Sequence, residues 1–98
     1  MGMHIMQRSQ DGLDLFRLKG ELDAGAVEQL AFILAMPGAR PVQFDFRLVP
    51  NVDRPEAAPL LKSVVARRPE GRALRFSGIP QPVARRHARE GLPPAIFV

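Results

Sequence analysis

The chain has 98 residues, enough for one hydrophobic core and no second one, so it is read as a single domain over 1–98. It contains no cysteine, which excludes a disulfide framework and a cysteine metal site. Its net charge of +4 is uneven: residues 1–53 sum to −2 and residues 54–98 to +6. A basic half implies an acidic protein partner, nucleic acid or a phosphate ligand, or simply a solvated basic surface.

No apolar run approaches the roughly 20 residues that cross a bilayer, and residues 1–10 lack a signal-peptide core. A cytoplasmic setting without membrane insertion is the expectation. Hydroxyls are scarce. There is no Thr and no Tyr, and Ser9, Ser63 and Ser77 are the only serines.

Residues 3–9 read as a short edge strand, and Asp11-Gly12 as a turn. Leu13 to Leu18 reads as a second strand, completing a hairpin. Lys19-Gly20-Glu21 breaks it, and Asp23 suits the N-cap of a helix over Ala24 to Met36 that Pro37-Gly38 ends. Val42, Phe44, Phe46 and Leu48 alternate with Gln43, Asp45 and Arg47, as in a half-buried strand. A second helix carries Leu60, Leu61, Val64 and Val65 on one face and ends at Pro69 to Gly71. Ala73 to Phe76 reads as a strand and Val83 to Glu90 as a basic third helix closed by Gly91. Ile96 to Val98 reads as a last strand.

Strands alternating with helices imply an α/β fold. The expectation is a mixed, mostly parallel sheet of four to five strands. The polar set at 43, 45 and 47 places the helices on one face only.

The order and three short motifs resemble the STAS family (sulphate transporter and anti-sigma factor antagonist). Leu18-Lys19-Gly20-Glu21-Leu22-Asp23 looks like that family's step into its first helix. Phe44-Asp45-Phe46, followed by Val49-Pro50-Asn51-Val52-Asp53, is similar to its central strand and the loop to an Asp at the second helix. Gly91-Leu92 is similar to a Gly-Leu that follows its third helix. The resemblance implies a non-catalytic, bacterial protein-interaction module in transcription regulation. Its partner would be an anti-sigma factor kinase or a regulated ATPase. It also implies a contact surface from Asn51 through Asp53, Arg54, Pro55 and Glu56, with the start of the second helix, Asp23 and neighbouring parts of the first helix.

This chain departs from the family where phospho-regulated members carry a hydroxyl and a glycine after the Asp. Arg54, Pro55 and Glu56 stand there, so no phosphorylation is expected in the 53–56 turn. One reading of the turn is a capping box, with Asp53 at the N-cap and Glu56 at N3. The other is a fixed charged surface in place of a switch, although one Glu opposed by Arg54 mimics a phosphate poorly. Pro59 inside such a helix predicts a distorted first turn, or a helix that becomes regular only near Pro59.

The first helix has Glu28 and Gln29 as its only polar side chains, so Phe32 and Met36 are expected on its outer face. That points to an interface or a homodimer contact, unless neighbouring chain covers it. His4 and His87 have no third ligand, so no metal site is expected, and no motif calls for a cofactor. Asp23, Asp45 and Asp53 fall near strand ends, where one can cap a helix and another satisfy loop amides. No nucleophile motif is present, and catalysis is not expected. Arg85, Arg86 and Arg89 form a basic stripe, but no nucleic-acid-binding motif accompanies it. Two alternatives stand beside the first reading. One is an accessory subunit of an ABC-type lipid transporter; the other is a nucleotide or nucleic-acid binder using the basic C-terminal half.

Overall fold

The computed structural model describes residues 2–98. In chain order they form β1 (His4–Gln10), β2 (Leu13–Lys19), α1 (Ala24–Ala35), β3 (Val42–Leu48), α2 (Ala57–Ala66), β4 (Leu74–Ser77), α3 (Gln81–Arg89) and a 3-10 turn at Pro94–Ile96. The sheet order is β1-β2-β3-β4. β1 and β2 are antiparallel, while β2, β3 and β4 run parallel. The architecture is the expected single α/β domain with a mixed, mostly parallel sheet.

The β1–β2 hairpin closes through Asp11 and Gly12, with φ of 51° and 76°. Two consecutive positive φ values make the tight turn whose twist matches the flanking strands, and Asp-Gly suits it. β1 keeps one face and one edge open to solvent, and only Ile5 along it is partly covered. Its start is tied to α1 by a side-chain amide. Gln29 Oε1 accepts from the Met3 amide at 2.9 Å, and Gln29 Nε2 donates to the Met3 carbonyl at 3.1 Å.

Phe16, Phe44 and Phe76 stand side by side on β2, β3 and β4 by register. Their ring centroids are 5.8 and 6.4 Å apart, and Phe46 meets Phe76 edge-on at 5.0 Å. Leu30 and Leu34 of α1, Leu61 and Val64 of α2 and Ala84 of α3 join the same buried cluster. All three helices therefore lie on the phenylalanine side. On the other side Arg17 and Arg75 are exposed. The expectation of helices on one face follows from that alternation and is met.

α3 ends in a Schellman motif. The amide of Gly91, at φ 109°, reaches the Ala88 carbonyl at 3.1 Å. The amide of Leu92 reaches His87 at 3.3 Å, and the Leu92 side chain is buried. Pro82 sits in the first turn, where an amide hydrogen is not needed.

Two expectations need correction. The last strand is not formed. Pro93 and Pro94 lead into a 3-10 turn, and a single parallel bridge joins Phe97 to Phe76. The amides of Ile96 and Phe97 bond back to the Pro93 and Pro94 carbonyls, which leaves the Val98 amide alone to reach the Phe76 carbonyl, at 2.9 Å. The second helix starts at Ala57 rather than Asp53, and Glu56 at its N-cap makes no side-chain capping bond. The capping-box reading of Asp53 and Glu56 therefore fails. Residues 52–56 are wound in tight turns, with Arg54 N donating to Asn51 O and Ala57 N to Arg54 O. Pro59 falls in the first turn of the shorter helix, which is where the distortion argument placed regular structure.

Candidate functional site

Three loops leave the C-terminal ends of the parallel strands: Gly20–Asp23, Val49–Glu56 and Gly78–Pro80. In open parallel sheets this end is where ligands and partners are met, because the loops converge there. Each loop here is held by a specific device.

The first two are joined by Asn51. Its Oδ1 accepts from the Leu22 amide at 2.8 Å, and its Nδ2 donates to the Leu22 carbonyl at 2.8 Å. The side-chain amide thus satisfies both backbone groups of a residue that lies in neither strand nor helix. Asp23 follows directly and caps α1, its Oδ1 accepting from the Ala26 amide at 2.8 Å. The capping role expected of Asp23 is present.

The next residue of the second loop is fixed from the other side. His87 of α3 is fully buried, and its Nε2 lies 2.7 Å from the Val52 carbonyl oxygen. An imidazole nitrogen facing a carbonyl must carry the hydrogen, so Nε2 is the donor. Nδ1 has no partner. His87 therefore fastens α3 to the loop before α2 rather than pairing with His4, which is exposed on β1. Among the described residues no three His, Cys, Asp or Glu side chains group as a metal site.

The third loop depends on Gly78. Its φ is +77°, and a Cβ there would stand 2.6 Å from the Arg47 amide nitrogen and run into the Asp45 carboxylate. Asp45 is 4% exposed; its Oδ1 accepts from the Arg47 amide at 3.0 Å, and Arg17 lies 3.6 Å from its Oδ2. Asp45 thus does what was expected of one of the three aspartates and satisfies a loop amide.

Between these fixed points the turn 53–56 projects outward. Asp53, Arg54, Pro55 and Glu56 are all exposed. No ion pair engages Asp53, Arg54 or Glu56 among the described residues. Of the seven residues singled out from the sequence, Asp23, Asn51 and 53–56 are gathered at one end of the sheet. Asp23 and Asn51 spend their polar groups on holding the loops, whereas 53–56 present free side chains. Phe32 stands apart, nine positions along α1 from Asp23, or about 13 Å at the helical rise. It is 71% exposed, and Met36 one turn on is also exposed.

Glu28 of α1 is bridged at 2.7 Å to Arg67, the C-cap of α2. The hydrogen bond from Arg67 is the main reason the Glu28 carboxyl is held below its ordinary range. Arg85, Arg86 and Arg89 are exposed on α3. No helix among the described residues is long and apolar enough to cross a membrane.

From the sequence, His87 is weighed only as a metal ligand and Gly78 is given no role. Gly78 carries a weak signal, a Ser-Gly directly after an apolar strand. His87 carries none, because its partner is a backbone carbonyl 35 positions away. No protein-family model matches this sequence, and no curated protein matches it.

Proposed function

We propose that this chain is a STAS-type protein-interaction domain that binds a kinase-like or ATPase partner through the 53–56 turn and does no chemistry of its own. The observation that carries the proposal is the contrast within one loop. Asn51 and Val52 are fastened to Leu22 and His87, while the four side chains that follow are exposed and unengaged. A surface whose backbone is already ordered loses little conformational freedom on binding, which favours recognition by a rigid partner.

The order of elements and the Gly20 to Asp23 and Phe44 to Asp53 segments add support through their likeness to that family. Binding through this turn would be constitutive. No hydroxyl is present between Asn51 and Glu56 to accept a phosphate, so control would come from the amount of the protein or from a further subunit. The cytoplasm, where such kinases and ATPases work, is part of the same proposal.

The experiment is to isolate the protein from its native cell with whatever it binds, and to test the co-purified species for ATP binding. A stoichiometric ATP-binding protein is expected. A kinase that acts on transcription regulators would favour the antagonist reading, and a transporter ATPase would place the domain as an accessory subunit. Recovery of nucleic acid alone would overturn the proposal.

A further inference from the structure

Among the described residues, all three helices pack on the phenylalanine side of the sheet, and none lies on the opposite face. Side chains alternate along a strand, so Leu15, Arg17 and Lys19 of β2 point to this side while Phe16 and Leu18 point to the core. The register extends the pattern across the sheet. Arg8, Leu15, Gln43 and Arg75 form one row. Met6, Arg17, Asp45 and Ser77 form the next. Arg8, Arg17, Lys19 and Arg75 thus share a face with one carboxylate, Asp45, which is buried and already engaged by Arg17 and the Arg47 amide. Among the described residues no ion pair engages Arg8, Lys19 or Arg75.

Met6 and Leu15 are the apolar side chains of these two rows, and Gln43 separates Leu15 from Arg75. Met6 is 53% exposed, and two shallow depressions lie on either side of Leu15. Arg8 and Arg17 border one; Arg75 borders the other, with Asp11 of the hairpin turn at its far rim. Arg8 and Arg75 stand three strand spacings apart, about 14 Å. Cations flank an apolar seat on both sides. Single-stranded nucleic acid is read on sheet faces by stacking bases on aromatic side chains. None is available here: Phe16, Phe44, Phe46 and Phe76 belong to the core, Phe32 lies on α1, and Phe97 packs beside Phe76.

We infer that the open face is a second docking surface, for an acidic polypeptide segment that carries an apolar anchor. The anchor rests on Met6 and Leu15, and its flanking carboxylates meet Arg8 and Arg75. The charge complementarity sets orientation and speeds encounter, and the apolar contact supplies much of the affinity. This surface does not involve the 53–56 turn, so its failure leaves the proposed function standing.

The test uses the full chain with two labelled probes: a short Glu-rich peptide with a central Leu pair, and a single-stranded oligouridine. Fluorescence anisotropy is expected to show peptide binding that weakens as salt rises through the range that screens charges. Arg8→Glu with Arg75→Glu is expected to lower peptide affinity at least about tenfold. Met6→Ser, which leaves the charge alone, is expected to lower it severalfold. Backbone chemical-shift changes on the unaltered protein are expected at Met6, Leu15, Gln43 and Arg75, a readout that does not depend on any variant folding. The inference is overturned by absence of peptide binding, by shifts confined to another surface, by affinity unchanged in the charge-reversed variant, or by oligouridine binding more tightly than the peptide.

Discussion

His87 Nε2 lies 2.7 Å from the carbonyl oxygen of Val52, and this contact ties the third helix to the loop that precedes the second. The histidine is fully buried, so the bond is made out of reach of water. Replacing His87 with Ala removes the donor, strands the Val52 carbonyl and leaves a cavity. The expected loss is about 2–4 kcal/mol of unfolding free energy. His87→Gln, which keeps a donor, should lose less. Urea melts of the two variants check this, and equal stability of His87→Ala and the unaltered protein would contradict it.

Asn51 provides the matching clasp on the other side of the loop. Asn51→Ala removes both bonds to Leu22 and is expected to cost about 1–3 kcal/mol. Asn51→Asp keeps an acceptor for the Leu22 amide but sets a carboxylate against the Leu22 carbonyl, and should be no better tolerated. Hydrogen exchange at the Leu22 amide reads the effect locally, and it should speed up in both variants.

Gly78 has no side-chain substitute. A Cβ at φ +77° is strained in itself, and here it also meets the Arg47 amide and the Asp45 carboxylate. Gly78→Ala is expected to destabilise the fold by at least about 2 kcal/mol. Gly12 is the control. Its φ is +76°, but nothing lies within 4 Å of an added Cβ, so Gly12→Ala should cost less. Thermal melts of the pair separate steric contact from backbone strain.

The ion pair between Glu28 and Arg67 gives a pH signature. Arg67 lowers the Glu28 pKa in the folded state, so the contribution of the pair is present above the ordinary carboxylate range and is lost as pH falls through the lowered value. Both groups are exposed, so the effect is small and screened by salt. Glu28→Gln should therefore lower neutral-pH stability slightly at low salt and converge with the unaltered protein once pH falls below the lowered value.

Phe32 contributes nothing visible to the core. Phe32→Asp should leave melting within about 0.5 kcal/mol of the unaltered protein. Its effect should appear in association, as weaker partner binding or loss of concentration-dependent self-association in sedimentation. A variant that changed neither would show that this apolar side chain is surface only.

The features legible in the sequence are those set by neighbours in the chain. Asp11-Gly12 specifies its own turn, Asp23 caps the helix that begins beside it, and Gly91 with Leu92 closes α3. Alternation at residues 43 to 47 was enough to put the helices on one face. The start of α2 was misplaced because the loop before it is set by distant groups. Leu22 and His87 hold Asn51 and Val52, so Asp53 and Glu56 are left free rather than used as caps. The basic open face was hidden for the same reason. Arg8, Arg17 and Arg75 lie on three strands and become neighbours only through register. The run at 96–98 looked like a strand because its side chains are apolar, but the prolines before it fix a 3-10 turn.

The most direct test of the central claim is partner retention by a variant in which Asp53, Arg54 and Glu56 are all changed to Ala. These side chains are exposed and unpaired, so the variant should fold and melt like the unaltered protein. The account predicts that the unaltered chain retains one ATP-binding partner from its native cell and that the folded triple variant does not. Equal retention of that partner by both proteins would show that the 53–56 turn is not the binding surface.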